Sequence, residues 1–472
     1  MHHTHLDAVR ARGRAPVGWL FLVLALISAA AHADFDPDDQ THLTVFGQIP
    51  ARTSSRVELK IARFEIFTSG DTHTFSPLRT GLATPADAGR ARLLLRAALA
   101  VGRIDSLRVV LDAARVEVGE ASTDVDLSDV VVTMGLSLEA LPGECIVLHL
   151  DFDPDGTPVD ADPWQPVLEF GFSERPPLGQ TLFVALEDGG TVAVLDRRSG
   201  TVAAEFGVGG RPTDLVYSAL ERRLFASVAA RDELVVVDLG DIDRMRRLPL
   251  RFGDNPSRVL LTEDERDVLV LSSGHDALVV VSSQTFQETA RIPLTPRPVA
   301  VATDERSAQV FVSSGSTRTV EVVDLARSSV VGSFVVRDMP GEMVYLAEAR
   351  ELLVASQDGR SIERLDARSG ASLESIEMCG PATGMELQRR SQRVFVAMDL
   401  CRELSVLRPR LDIEVARQSI PGAPGRLRLD PEERMLYVTI PAAGSLLVVN
   451  SNRVRETFVI DVGPRPVAVE IP

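Results

Sequence analysis

An all-β protein is the fold class this sequence predicts, and three observations carry that expectation. Between Leu182 and Ile471 one pattern of about forty-two residues returns seven times. Each return has an apolar run with an anchor residue, at Phe183, Phe225, Leu269, Phe311, Leu353, Phe395 and Tyr437, in steps of 42, 44, 42, 42, 42 and 42. A second apolar run stops at Asp196, Asp238, Ser282, Asp324, Asp366, Arg408 and Asn450, with the same steps. A proline then leads another run: Pro212, Pro256, Pro298, Pro340, Pro381, Pro424 and Pro466. Three landmarks that keep one period mark a repeat architecture.

Each repeat holds four short runs rich in Val, Ile, Leu and Thr, as in Leu224–Val228, Glu233–Asp238, Arg244–Leu250 and Ser257–Thr262. Four short strands and their turns need roughly 40–45 residues, the length of a propeller blade. A lone blade cannot cover both faces of its sheet, so stacked neighbours must. Unbroken apolar runs such as Leu234–Val237 and Leu446–Val449 fit strands covered on both faces. The Asp or Asn that closes the second run suits turn entry, because its side chain reaches nearby backbone N–H groups. The array starts at Leu182 without a proline-led strand and ends with a spare one, Pro466–Ile471. The expected fold is therefore a seven-bladed β-propeller closed by pairing the N- and C-terminal strands of the array, which leaves no open edge.

Leu436-Tyr437-Val438-Thr439-Ile440 followed by Leu446–Asn450 resembles the YVTN β-propeller repeat. Val310–Ser314 with Val320–Asp324, and the Arg-Pro pairs Arg297-Pro298 and Arg465-Pro466, are similar to it. The resemblance covers about 290 residues. It implies a fold and not an activity, since the repeat occurs in surface-layer, DNA-binding and redox proteins.

The first thirty-three residues differ from the rest. Arg10, Arg12 and Arg14 precede an apolar run from Val17 to Ile27, and Ala31-His32-Ala33 is a small-residue cleavage pattern. Residues 1–33 read as a cleaved signal peptide, which places the mature protein in the periplasm or outside the cell. The run is short of the roughly 20 residues a membrane span needs. Removing this leader takes away three Arg and one Asp and moves the formal charge from −17 to −19. Such acidity repels phosphate backbones and argues against nucleic-acid partners. It suits solubility as a monomer.

Residues 34–175 are expected to form an antiparallel β-sandwich, with 176–181 as a Pro-rich linker and 182–472 as the propeller. The sandwich strands are read at Leu43–Ile49, Arg56–Ile66, Ser106–Val118, Val130–Leu138, Cys145–Phe152 and Val167–Phe172. Leu93–Val101 is the one segment whose pattern suggests a short helix. Leu107–Val118, Leu136–Leu138, Cys145–Phe152 and Pro166–Phe170 resemble a family of bacterial secreted β-sandwich domains of unknown function. Within this part, Asp151, Asp153 and Asp155 alternate before Gly156, with Asp162 eleven residues after the first. That is the spacing of a calcium loop. An acidic hairpin loop is the competing reading, because no helices flank it and the last position is Asp rather than Glu.

Several chemistries find no support. The propeller region has one histidine, His275, no tryptophan and no Cys-x-x-Cys-His. No serine elbow or phosphate loop is apparent. Cys379 and Cys401 fall in loops that a propeller opens on one face, so a disulfide between them is expected, while Cys145 reads as a buried strand residue. Two residues after the leading prolines stand Asp214, Arg258, Ala300, Glu342, Arg426 and Ala468, with Gly384 at the offset fifth position. Charges ringed around a channel mouth can hold a polar ligand or pair with one another. The reading is a non-catalytic binding or scaffold protein for a protein partner or a small polar ligand. The alternative is a lactonase-like propeller hydrolase or isomerase acting at the channel mouth.

Overall fold

The computed structural model describes residues 40–118, 121–141, 143–156, 158, 164–172, 175–304 and 308–472; the expected leader lies outside them. The secondary structure is strand, with a few single-turn 3-10 helices, so the all-β expectation holds. Two compact units are present: residues up to Arg175 together with Asp196–Gly207, and Pro176–Leu195 together with Val208–Pro472. No helix among the described residues is long and apolar enough to cross a membrane.

In the first unit a four-stranded sheet runs in the order Val167–Gly171, Cys145–Asp153, Gln40–Gln48, Ala91–Ala100. A six-stranded sheet is built on Arg56–Thr68 and Gly102–Val118. One apolar cluster draws on both, including Leu43, Leu94 and Leu148 from the first and Leu59, Phe64 and Leu107 from the second. Two expectations need correction. Leu93–Val101 is not a helix: Ala91–Ala100 pairs antiparallel with Gln40–Gln48, and Leu94, Leu95, Ala97 and Leu99 point into the core. Nor is the first sheet wholly antiparallel, since Gln40–Gln48 lies parallel to Cys145–Asp153 with Thr44 opposite Val147.

The second unit is a succession of four-stranded antiparallel sheets. The first complete set runs Pro212–Ser218, Arg223–Val228, Glu233–Asp238 and Asp241–Pro249 in spatial order. Further sets start at Pro256, Pro298, Pro340, Ala382 and Leu427. The sheet that opens at Thr181 is completed from the far end of the chain. There Pro466–Glu470 pairs antiparallel with Thr181–Leu186, and Phe183 stands opposite Glu470. That pairing is the one expected from the unmatched last strand. Leu178–Gln180, inside the expected linker, forms a single 3-10 turn.

The period in the sequence corresponds to repeated burial. All seven anchors are buried, the most exposed being Tyr437 at 3%. Neighbouring sheets share cores: Leu353, Ile362 and Ile376 of one pack with Val394, Val396 and Leu407 of the next. The residues ending the second strands act in turns. Asp196, Asp238, Asp324, Asp366 and Asn450 accept the backbone N–H two or three residues on, at 2.8–3.2 Å. Carboxylates also tie one sheet to the next. Asp232, in the left-handed region at φ 52°, takes the N–H groups of Gly253 and Asn255, both at 2.7 Å. Glu433 takes those of Arg389 and Arg390, both at 3.0 Å.

Candidate functional site

The proline-led strands surround a cavity of about 1140 Å³. Side chains alternate along a strand, so positions two apart face the same way. The first layer holds the four charges singled out in the sequence, and the structure brings them together. The Arg258 guanidinium pairs with Glu342. Arg426 lies 3.8 Å from Asp214 and 3.9 Å from the other oxygen of Glu342. Acid and base thus alternate as Asp214, Arg258, Glu342, Arg426. Arg258 and Glu342 come from sheets separated by the one that starts at Pro298, so their pair reaches across the cavity. Small residues stand at the same level. Ala300 and Ala468 are buried, and a Cβ on Gly384 would stand 2.7 Å from the Gly425 carbonyl oxygen.

A second layer, which the sequence reading did not identify, lies two residues further along: Glu386, Arg428 and Glu470. Arg428 donates to Glu470 at 2.7 Å. Glu386 accepts the Leu429 N–H at 3.2 Å, and Glu470 also accepts the Tyr217 N–H at 3.4 Å. The signal was available, because the two-residue alternation that selected Arg426 and Ala468 continues to Arg428 and Glu470. Burial raises the proton affinity of Asp214, Glu342 and Glu386 against the pull of the arginines. It pushes Glu470 up to about 7 despite Arg428. Across the whole lining, nine carboxylates face four guanidiniums. This arrangement can attract a cation and can exchange a proton near neutrality.

The other expected sites are arranged differently. Asp155 accepts the backbone N–H groups of Ser55 at 2.8 Å and Ser54 at 2.9 Å, with the Ser54 hydroxyl at 3.0 Å. Hydrogen bonds from Ser55 and Ser54 hold its carboxyl well below the usual carboxylate range. Asp153 accepts the Asp155 N–H, and Asp151 stands opposite Glu169 on the neighbouring strand. Asp162 lies outside the described residues. Among the described residues, Asp151, Asp153 and Asp155 belong to no group of three ligand atoms within 4.8 Å of one another.

Cys379 and Cys401 are joined in a disulfide, with Cα atoms 6.3 Å apart. Cys145 is a free, half-buried thiol, and burial pushes its proton affinity up. His275 belongs to a cluster built around Asp254, which is fully buried. Asp254 contacts Arg291 at 2.7 and 2.9 Å, the Ser272 hydroxyl at 2.7 Å, the Arg251 N–H at 2.8 Å and His275 Nδ1 at 3.0 Å. Burial pushes its carboxyl up, but these partners outweigh it and hold the group well below the usual range.

No family model matches the chain, and no curated protein does. Solved structures do. Kuenenia stuttgartiensis hydrazine synthase is similar at 18% identity, covering 62% of this chain and 94% of that one, with a TM-score of 0.50. A functionally unknown protein from Desulfotomaculum acetoxidans is similar at 13% identity, covering 62% and 98%, with a TM-score of 0.54. The dihydro-heme d1 dehydrogenase NirN is similar at 18% identity, covering 66% and 71%, with a TM-score of 0.50. At such identities the likeness shows the fold alone, and that fold is a β-propeller.

Proposed function

We propose that this is an exported, non-catalytic binding protein whose propeller channel holds a small polar ligand carrying positive charge. In this reading the sheets from Thr181 to Glu470 are seven blades of one closed ring of the YVTN type. The two sheets of the first unit form a secreted β-sandwich, and the Arg-rich apolar leader directs export. The observation that carries the reading is the composition of the channel wall, nine carboxylates against four guanidiniums around about 1140 Å³. The first layer compensates its own charges, while the second has two carboxylates around one arginine. A cation entering there meets two carboxylates to one guanidinium and draws off the proton that Glu470 partly holds near neutrality, in a partly dehydrated space where Coulomb attraction is stronger than in water.

Calorimetric titration of the full chain with spermidine and with citrate tests this. Spermidine should bind, lose affinity as salt is raised, and weaken at least about tenfold in Glu386→Gln/Glu470→Gln, a loss of roughly 1.4 kcal/mol. Citrate should give no heat. Citrate binding as well as spermidine, or spermidine giving no heat, would overturn the reading. One observation favours the lactonase-like alternative: Glu470, raised to about 7, has the proton affinity of a general acid or base. Turnover of a small lactone that is lost in Glu470→Gln would favour that reading over simple binding.

A further inference from the structure

The Cys379–Cys401 disulfide sits within a preformed set of further metal-ligand atoms. Strands Arg393–Met398 and Glu403–Arg408 form an antiparallel hairpin in which Met398 stands opposite Glu403, with Cys401 in the turn between them. Cys379 comes in from the loop between Ser372–Glu377 and Ala382–Gln388. Its Sγ lies 3.4 Å from Met398 Sδ and 3.2 Å from Glu403 Oε2. The ligand atoms of Cys379, Cys401 and Glu403 all lie within 4.8 Å of one another. Arg417, 3.5 Å from the same Glu403 carboxylate, helps fix its orientation. As a disulfide bridge alone, the pair has no need of a carboxylate or a thioether at its sulfurs.

We propose that, when reduced, Cys379 and Cys401 together with Glu403 bind a thiophilic divalent d10 cation such as zinc, with the Met398 thioether as a weak fourth donor. Two thiolates and a carboxylate form a set that zinc accepts. Tetrahedral bonds of about 2.3 Å to sulfur would place the two sulfurs about 3.8 Å apart, so the two cysteine loops must part by roughly 2 Å once the S–S bond is broken. The chemistry balances with a dithiol as reductant. Its two electrons break the S–S bond as it closes its own disulfide, and its two thiol protons pass to the cysteines. Metal binding then releases both protons as the thiols become thiolates. The segment is thus a covalent staple in one redox state and a metal site in the other.

The test uses the full chain, reduced anaerobically with the reductant removed, and titrated with Cd²⁺ as probe. The readouts are the ultraviolet thiolate-to-metal charge-transfer band and the stoichiometry. Reduced wild type should bind one Cd²⁺ per chain with that band, and the oxidised chain should show no band. Glu403→Gln, which leaves the cysteines in place, should weaken binding roughly tenfold or more. Cys401→Ser should abolish the band. The absence of a band on the reduced chain, or an unchanged affinity in Glu403→Gln, would overturn the proposal. So would loss of cooperative melting on reduction alone, because the folded hairpin must hold the donors in place.

Discussion

Asp254 and Glu470 are both carboxylates almost shut off from water, at 0% and 4% exposure, and their proton affinities move in opposite directions. Asp254 has five polar contacts, two of them from one guanidinium. Glu470 has one arginine and one long backbone N–H. Burial raises both, and the supply of donors decides the outcome. The same contrast separates the loop carboxylates from the channel wall. Asp324 is lowered by the Arg327 N–H and Asp366 by the Ser369 hydroxyl and N–H, whereas Asp214, Glu342 and Glu386 are raised by burial. Loop carboxylates are fully engaged in holding the chain, while channel carboxylates keep the capacity to take up a proton or a cation.

The largest difference between the two regions should appear on truncation. Asp254→Ala leaves the Arg291 guanidinium, 11% exposed, with only Glu288 at 2.9 Å, and strips partners from Ser272 and the Arg251 N–H. Breaking a buried pair on one side costs about 3–5 kcal/mol, which lowers Tm by about 10 °C. Glu470→Gln should shift Tm far less at neutral pH, because that group is already close to half protonated there. Equal shifts from the two variants in differential scanning calorimetry would remove the distinction.

Stability against pH should show the second effect. Glu470 is raised from its ordinary 4.5 to about 7, so its contribution is fully present below about pH 4.5 and lost as pH rises through about 7. Asp254 has the opposite sign. Its folded proton affinity is depressed, so its contribution is present above the ordinary 3.8 and lost as pH falls below that value. Urea unfolding at pH 5, 7 and 8.5 should therefore show wild type losing stability on the alkaline side and Glu470→Gln losing less. Parallel curves for the two proteins would show that the Glu470 carboxyl is not raised.

What the sequence made legible follows the range of each interaction. The period of the array was visible because the sheets repeat the same local demands: a buried anchor, a leading proline and, in five of the seven, an Asx turn. The first-layer charges were visible because one position in that period was read across all repeats. Glu386, Arg428 and Glu470 needed only one more step of the same alternation. Asp254 was not legible, since Ser272 and Arg291, 18 and 37 residues away, meet it only after folding. Ala91–Ala100 misled because Ala, Leu and Arg favour helix on intrinsic propensity, and pairing with Gln40–Gln48 overrides that preference. The parallel pairing of Gln40–Gln48 with Cys145–Asp153 leaves no local trace in either strand.

The smallest effect should come from removing two charges of the first layer together. Arg258 and Glu342 are 16% and 14% exposed, and each faces a further charge of the ring. Glu342→Met alone leaves Arg258 and Arg426 without the acid between them. Arg258→Met alone leaves Glu342 to Arg426 at 3.9 Å. Either single variant should lose roughly 1–3 kcal/mol. The double variant keeps Asp214 with Arg426, one charge of each sign, and replaces a dehydrated ion pair with apolar volume. Such exchanges are often neutral, so its stability should lie within about 1 kcal/mol of wild type. If the double instead lost the sum of the two singles, the layer would not be a mutually compensating ring. Each of its charges would then have a separate partner, as Asp254 does, and the contrast between channel and loop would fail at this layer.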